Sequence, residues 1–141
     1  MSPTPPSADQ VQAPGDSSVL RMSVSPSRAD DAIIILSNAP DLLLAKRIAH
    51  MLVEEHLAAC VNLGAAGLSM YMWQGKLEGA EEIPIVIKTT AGRAPALVER
   101  LLQLHPYEVP EVLVLPVMGG TAGYLDWMRA QTATAGQQGD T

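Results

Sequence analysis

Residues 68–90 read LSMYMWQGKLEGAEEIPIVIKTT, and the reading of this stretch decides the fold. Gln74-Gly75-Lys76 is a turn signal between two runs of strand-forming residues. The chain therefore goes out along residues 68–73 and returns along a long hairpin arm, Lys76–Thr90. Within that arm, residues 83–88 (IPIVIK) are apolar on both alternating faces, the pattern of a strand covered on both sides. Residues 79–82 are where the arm would twist or bulge.

The flanks repeat the pattern. Residues 32–37 (AIIILS) are a second strand apolar on both faces. Asn38-Ala39-Pro40-Asp41 then opens a helix, with Asn38 a candidate cap, Pro in the first turn and an early Asp. The helix runs to about residue 55, with Ala45, Ile48, Ala49 and Leu52 on one face and Lys46, Arg47, His50 and Glu54 on the wet side. Residues 59–63 (ACVNL) start a strand that Gly64 and Gly67 interrupt as a bend or bulge. Downstream, residues 93–104 form a helix with Leu97, Leu101 and Leu104 inward, ended by Pro106. Residues 111–117 (EVLVLPV) are the fourth strand, Gly119-Gly120 a turn, and 122–133 a last short helix.

The order β-α-β-β-α-β plus a helix is that of a ferredoxin-like α+β sandwich, with helices on one face of an antiparallel sheet. That architecture leaves the second face open, yet three of the four strands are apolar on both faces. Soluble monomers tolerate only a few hundred Å2 of exposed apolar patch. Self-association is the expected cover, and a dimer and a trimer satisfy the argument equally.

The domain is expected to span residues 31–133. Residues 1–30 hold five of the eleven prolines and few large apolar groups, so a disordered Pro/Ser-rich tail is expected there, and a flexible tail at 134–141. The net charge is −6, from nine basic and fifteen acidic residues, with no basic stripe. This argues against nucleic acid and against an anionic membrane surface as partners. No run approaches the roughly 20 apolar residues of a membrane span. The N-terminus does not read as a signal peptide, and Cys60 is the one cysteine, so the cytoplasm is the expected compartment.

The most unusual string is HPYEVPE at 105–111. Two prolines stiffen this connector, which holds His105 at a helix end and displays Tyr107 and Glu108. A rigid loop carrying His, Tyr and Glu suits binding or proton transfer. The plainer alternative is a turn in which His105 caps the helix and Tyr107 packs. Tyr71 and Trp73 share one strand face and suit either a subunit interface or a pocket rim. Lys88 ends an apolar run, where it would neutralise an anionic ligand, pair with Glu108, or emerge to solvent. Cys60 and His105 are candidate soft metal ligands, but the spacing is not that of a zinc site. A free buried Cys also serves simply as a small apolar residue. His50 and His56 read as solvent groups. There is no nucleotide loop, nucleophile elbow or Ser-His-Asp order.

Five strings, LAACVN at 57–62, YMWQGK at 71–76, IKT at 87–89, HPYEVPE at 105–111 and YLDW at 124–127, together resemble the CutA family of divalent-cation tolerance proteins. The similarity runs from about residue 33 to 128. The resemblance implies a ferredoxin-like fold, a tight homotrimer with its sheets around the three-fold axis, and a role in metal-ion tolerance with copper binding. It implies no catalytic activity. It marks Cys60, Trp73, Lys88, His105, Tyr107 and Glu108 as characteristic positions, with Cys60 and His105 as metal ligands. Ser37 stands where some members carry a further Cys, and Gln74 replaces a more common acidic residue, which removes soft and anionic ligands. Three functions are therefore carried forward: a copper-binding trimer for metal tolerance, a small-molecule-sensing regulatory trimer with a ligand between subunits near Lys88, Tyr107 and Glu108, and an enzyme using His105 or Glu108 as acid or base.

Overall fold

The returning arm forms one continuous strand, β4 (Lys76–Thr90), and three other strands pair with it, all antiparallel. These are β1 (Ala32–Ala39), β2 (Cys60–Leu63) and β3 (Gly67–Trp73). A fifth strand, β5 (Leu113–Pro116), lies on the far side of β1, so the sheet runs β2-β4-β1-β5 with β3 beside the outer half of β4. With β2 and β3 taken as one bent strand, this is the ferredoxin-like arrangement. The computed structural model describes residues 20, 21 and 28–133.

The bend is a bulge of one residue. β2 pairs Leu63 with Ile85, whereas β3 pairs Gly67 with Glu82, so four steps on one strand oppose three on the other. The extra residue is on the outgoing strand, as Gly64 and Gly67 suggest, and not in the arm at 79–82. Gly64 donates its N–H to the Pro84 carbonyl at 3.0 Å. A Cβ on residue 64 would lie 2.7 Å from the Pro84 ring carbon Cγ. The proline inside β4 thus requires glycine opposite. The hairpin closes with Trp73 opposite Lys76, and Gln74 (φ 50°) and Gly75 (φ 79°) are both left-handed, as a two-residue loop matching strand twist demands.

Alternation along β1 sorts its side chains. Ile33, Ile35, Ser37 and Ala39 are buried beneath two helices, α1 (Leu42–Glu54) and α2 (Ala94–Leu104). Ile85, Ile87, Ile48, Leu52, Leu97 and Leu101 complete that core. Asn38 is not the helix cap. β1 continues to Ala39, held by pairing with Ile83, and the Asp41 carboxylate caps α1 by accepting the Leu44 N–H at 2.8 Å. A single 3-10 turn, Ala91–Arg93, precedes α2, and Pro95 occupies its first turn.

The second face is covered at one end only. The last helix, α3 (Ala122–Thr132), lies over Lys88 and Thr90: Thr132 and Thr90 hydroxyls meet at 3.3 Å, and the Lys88 ammonium is 5.8 Å from the Tyr124 ring centre. Beyond it Ile34, Leu36 and Val86 are half-buried, and Leu113 and Leu115 are exposed. On the other face, that of Ile83 and Ile85, the hairpin reaches past the helices and presents Leu68, Met70, Met72 and Leu77, each more than 60% exposed (69%, 61%, 61% and 64%).

The tails expected at 1–30 and 134–141 fall mostly outside the described residues. Leu20 packs against the core, and the Ala29 carbonyl accepts the Gly92 N–H at 2.7 Å, so ordered contacts begin before residue 31. Among the described residues, no helix is long and apolar enough to cross a membrane.

Gly64→Ala should destabilise the protein by about 1–3 kcal/mol through overpacking. Adding Pro84→Ala should restore part of that loss by removing the ring. Urea unfolding at fixed protein concentration measures both, and a Gly64→Ala chain as stable as wild type would refute the role given to the bulge.

Candidate functional site

The connector between α2 and β5 folds back against the end of the sheet marked by Asn38 and the bulge. His105 is the C-cap of α2, its N–H donating to the Leu101 carbonyl at 3.0 Å. Its ring is almost fully enclosed, and both nitrogens are engaged. The Tyr107 main-chain N–H donates to Nδ1 at 3.1 Å, and Nε2 lies 2.7 Å from the Asn38 carbonyl. A main-chain N–H can only donate and a carbonyl only accept, so Nδ1 is bare and Nε2 carries the proton. The imidazole is therefore neutral. Burial pushes its pKa down, with the Asn38 carbonyl and Glu82 pulling weakly the other way.

Tyr107 is buried, not displayed, because its ring packs edge-on against His105 at 4.8 Å and its hydroxyl donates to Glu82 at 3.0 Å. Glu108 does face solvent. Asn38 joins the network twice, since its side-chain amide also donates to Glu111 at 3.3 Å. Burial, and then the nearby Glu82, raise the Glu111 carboxyl pKa. Partial burial, then Glu82 and Glu78, raise the Tyr71 phenol. Asn38, Ser69, Tyr71, Glu82 and Glu111 line a cleft of about 290 Å3 walled by Met70, Val109 and Pro110.

The other candidates lie elsewhere. Cys60 pairs with Lys88 across β2 and β4, four residues along β4 from Pro84, which pairs with Asn38. At the usual strand rise that places Cys60 about 13 Å along the sheet from the Asn38 end where His105 is bound. One chain does not bring Cys60 and His105 together, and with both nitrogens bonded His105 has none free for a metal. Among the described residues no group of three or more His, Cys, Asp and Glu side chains could hold a metal ion. Copper does not fit the donors of a single chain. Lys88 is similarly about 20 Å along β4 from Glu82, to which Tyr107 is bonded, so of the alternatives for Lys88 a pairing with Glu108 does not occur within the chain. Trp73 stands half-buried at the hairpin end beyond Tyr71. Ser37 points into the helix-side core with an unbonded hydroxyl. Asn38, Glu82 and Glu111 are not among the site residues expected from sequence; Glu111 ends the HPYEVPE string, but nothing local distinguishes Asn38 or Glu82.

The neutral His105 predicts a pH dependence. A folded pKa below the unfolded value of about 6.5 means its contribution is complete above that pH and is lost as pH falls through the folded pKa. Glu111 acts in the opposite sense, its raised pKa costing stability as pH rises, so wild type must be compared with a variant. His105→Gln keeps a donor toward Asn38 and cannot be protonated. Its urea-unfolding free energy should fall less steeply than that of wild type below pH 6.5. A His105 ring titrating at or above the ordinary histidine value by NMR would contradict this.

Residues 33–131 match the family model described as CutA1 divalent ion tolerance protein. The divalent-cation tolerance protein CutA of Pectobacterium atrosepticum is 48% identical over 100 residues, covering 71% of this chain and 91% of that protein. Its counterpart from Thermus thermophilus is 44% identical over 99 residues, covering 70% and 96%. Among solved structures, CutA1 from the psychrotrophic Shewanella sp. SIB1 superposes with a TM-score of 0.72 at 38% identity, covering 74% of this chain and 97% of that one. A CutA from Archaeoglobus fulgidus, described as periplasmic, gives 0.70 at 33%, covering 72% and 98%. By sequence and by fold, the chain belongs to the CutA1 family of divalent ion tolerance proteins.

Proposed function

We propose that the protein acts in divalent-cation tolerance as a homotrimer in the cytoplasm, and that any copper or other divalent cation it binds is held by donors from more than one copy. The observation that carries this is the uncovered sheet face. Ile34, Leu36, Val86, Leu113 and Leu115 form an apolar surface, and the hairpin exposes a second one, Leu68, Met70, Met72 and Leu77, on the face of Ile83 and Ile85. An apolar surface of this extent favours association. The family resemblance supports three copies rather than two. The separation of Cys60 from His105 supports a metal site that needs the assembly.

Sedimentation equilibrium and native mass spectrometry of the full chain should give three times 14.9 kDa. A monomer at micromolar concentration would overturn the proposal. Cu(I) and Cu(II) titrations should show binding by the trimer that is lost in Cys60→Ala. Equal binding by a Leu113→Glu/Leu115→Glu variant that has become monomeric would overturn the shared-donor reading.

A regulatory trimer that senses a small molecule is the second reading, and the cleft lined by Tyr71, Glu82 and Glu111 favours it. Its acidic walls suit a cation rather than an anion. Proton transfer by His105 has less support, since the ring offers no free nitrogen to a substrate.

A further inference from the structure

The uncovered sheet face is charged at both ends and apolar between them. Lys88 stands at one end, with the ring of Tyr124 beside its ammonium. Asn38, Glu82 and Glu111 line the cleft at the other end. Ile34, Leu36, Val86, Leu113 and Leu115 lie between. Among the described residues no carboxylate is within ion-pair distance of Lys88, and no cation is within that distance of Glu82 or Glu111. Covering this face would take both charges out of water, which is costly unless each meets an opposite charge. Within one chain they cannot meet, because Glu82 and Lys88 are six residues apart on one strand, about 20 Å.

We propose that the cleft at Glu82 and Glu111 receives the Lys88 ammonium of a second copy, so that the site is complete only in the assembly. This rests on the self-association proposed above. The cleft has the right chemistry. The Glu111 and Glu82 carboxylates and the Ser69 hydroxyl present acceptors for the three ammonium donors, and Met70, Val109 and Pro110 offer apolar wall to the lysine stem. Its volume of about 290 Å3 exceeds what one side-chain end needs, which leaves room for bridging water. The other cations are less suitable. Lys46 and Arg47 are exposed on α1, away from this face. Arg28, Arg100 and Arg129 are already paired with acids of their own chain. Lys76 is exposed beside the hairpin turn. Arg93 lies in the 3-10 turn before α2, beyond the Thr90 end of β4, whereas Lys88 stands on the face to be covered, directly opposite Ile34. The raised Glu111 pKa in the single chain, caused by burial and then by Glu82, is what a carboxylate cleft awaiting a cation would show.

Charge reversal tests the pairing on the full-length protein, with circular dichroism confirming the fold and sedimentation measuring association. Lys88→Glu and Glu111→Lys should each weaken association by about tenfold or more, and the double variant should recover most of the loss. Lys46→Glu, on α1 away from this face, should leave association unchanged. If wild type does not associate, the self-association reading fails. If wild type associates but the single variants match it, or the double variant is no better than the worse single one, the pairing fails while self-association stands. Rescue of Glu111→Lys by Lys76→Glu instead of Lys88→Glu also overturns it. Should Glu111→Lys not fold, a cycle of Lys88→Gln and Glu111→Gln serves the same purpose, and strictly additive effects would overturn the proposal.

Discussion

Ile33 and Ile35 are fully enclosed, while Ile34 and Leu36 between and beside them are only half-buried. That difference between adjacent residues is the constraint on which the rest of the molecule depends. A strand of isoleucines presents two apolar faces of similar strength, and the chain supplies two long helices to one of them. Each fully enclosed Ile or Leu contributes about 1.5–3 kcal/mol from burial. The helix-side core therefore holds the domain together. The second face is also apolar at its centre but lacks the same cover, because α3 lies over just the end of it around Lys88 and Thr90. The half-buried residues mark where the fold leaves an apolar face without cover of its own.

The polar network sits at one end of the sheet for a related reason. A bulge interrupts the ladder at Gly64, and Pro84 contributes no N–H, so this end of β4 has fewer main-chain partners to offer. The loop 105–111 supplies replacements. His105 takes the Asn38 carbonyl, the Tyr107 N–H takes Nδ1, and the Tyr107 hydroxyl takes Glu82. Each bond is worth about 1 kcal/mol, but breaking one would leave a buried partner unsatisfied at greater cost. The arrangement is a chain of single bonds, with His105 in the middle in one protonation state. The histidine that looked most like a ligand or a base is thereby committed to structure.

The strands, the hairpin and the helices were legible because their signals are local. Two-faced apolar runs, Gln74-Gly75, and the spacing of Ala45, Ile48 and Leu52 each speak within a few residues. Asn38 was misread because Asn-Ala-Pro-Asp is compatible with a cap at either end. The choice was made by Ile83, forty-five residues away in sequence, which pairs with Ala39 and keeps β1 extended. Glu82 was illegible for a similar reason, since its burial depends on Tyr107 folding onto it from another loop. The sequence singles out His105 and leaves open whether it is a ligand, a base or a helix cap. Local pattern records that a histidine ends a helix, but not that two distant main-chain groups claim its nitrogens. Pairing of Lys88 with Glu108 is one alternative that the sequence leaves open, and strand register sets Lys88 apart from that loop.

The placement of Cys60, Lys88, Glu82 and Glu111 changes what metal tolerance can mean for this chain. Cys60 is a soft donor, yet the residue directly across from it is Lys88, whose positive charge opposes a cation at that position. The hard donors Glu82 and Glu111 are at the far end of the same face. If copies cover one another's faces so that Lys88 is drawn toward a neighbour's carboxylates, the charge beside Cys60 is offset and a cation there becomes less unfavourable. If they do not, each end keeps its charge and neither suits a metal, one because it is cationic and the other because it has too few ligands. Under the proposed assembly, cation binding would be coupled to association through the ammonium of Lys88, because what neutralises it sets how far the Cys60 end of the sheet can accept a metal ion.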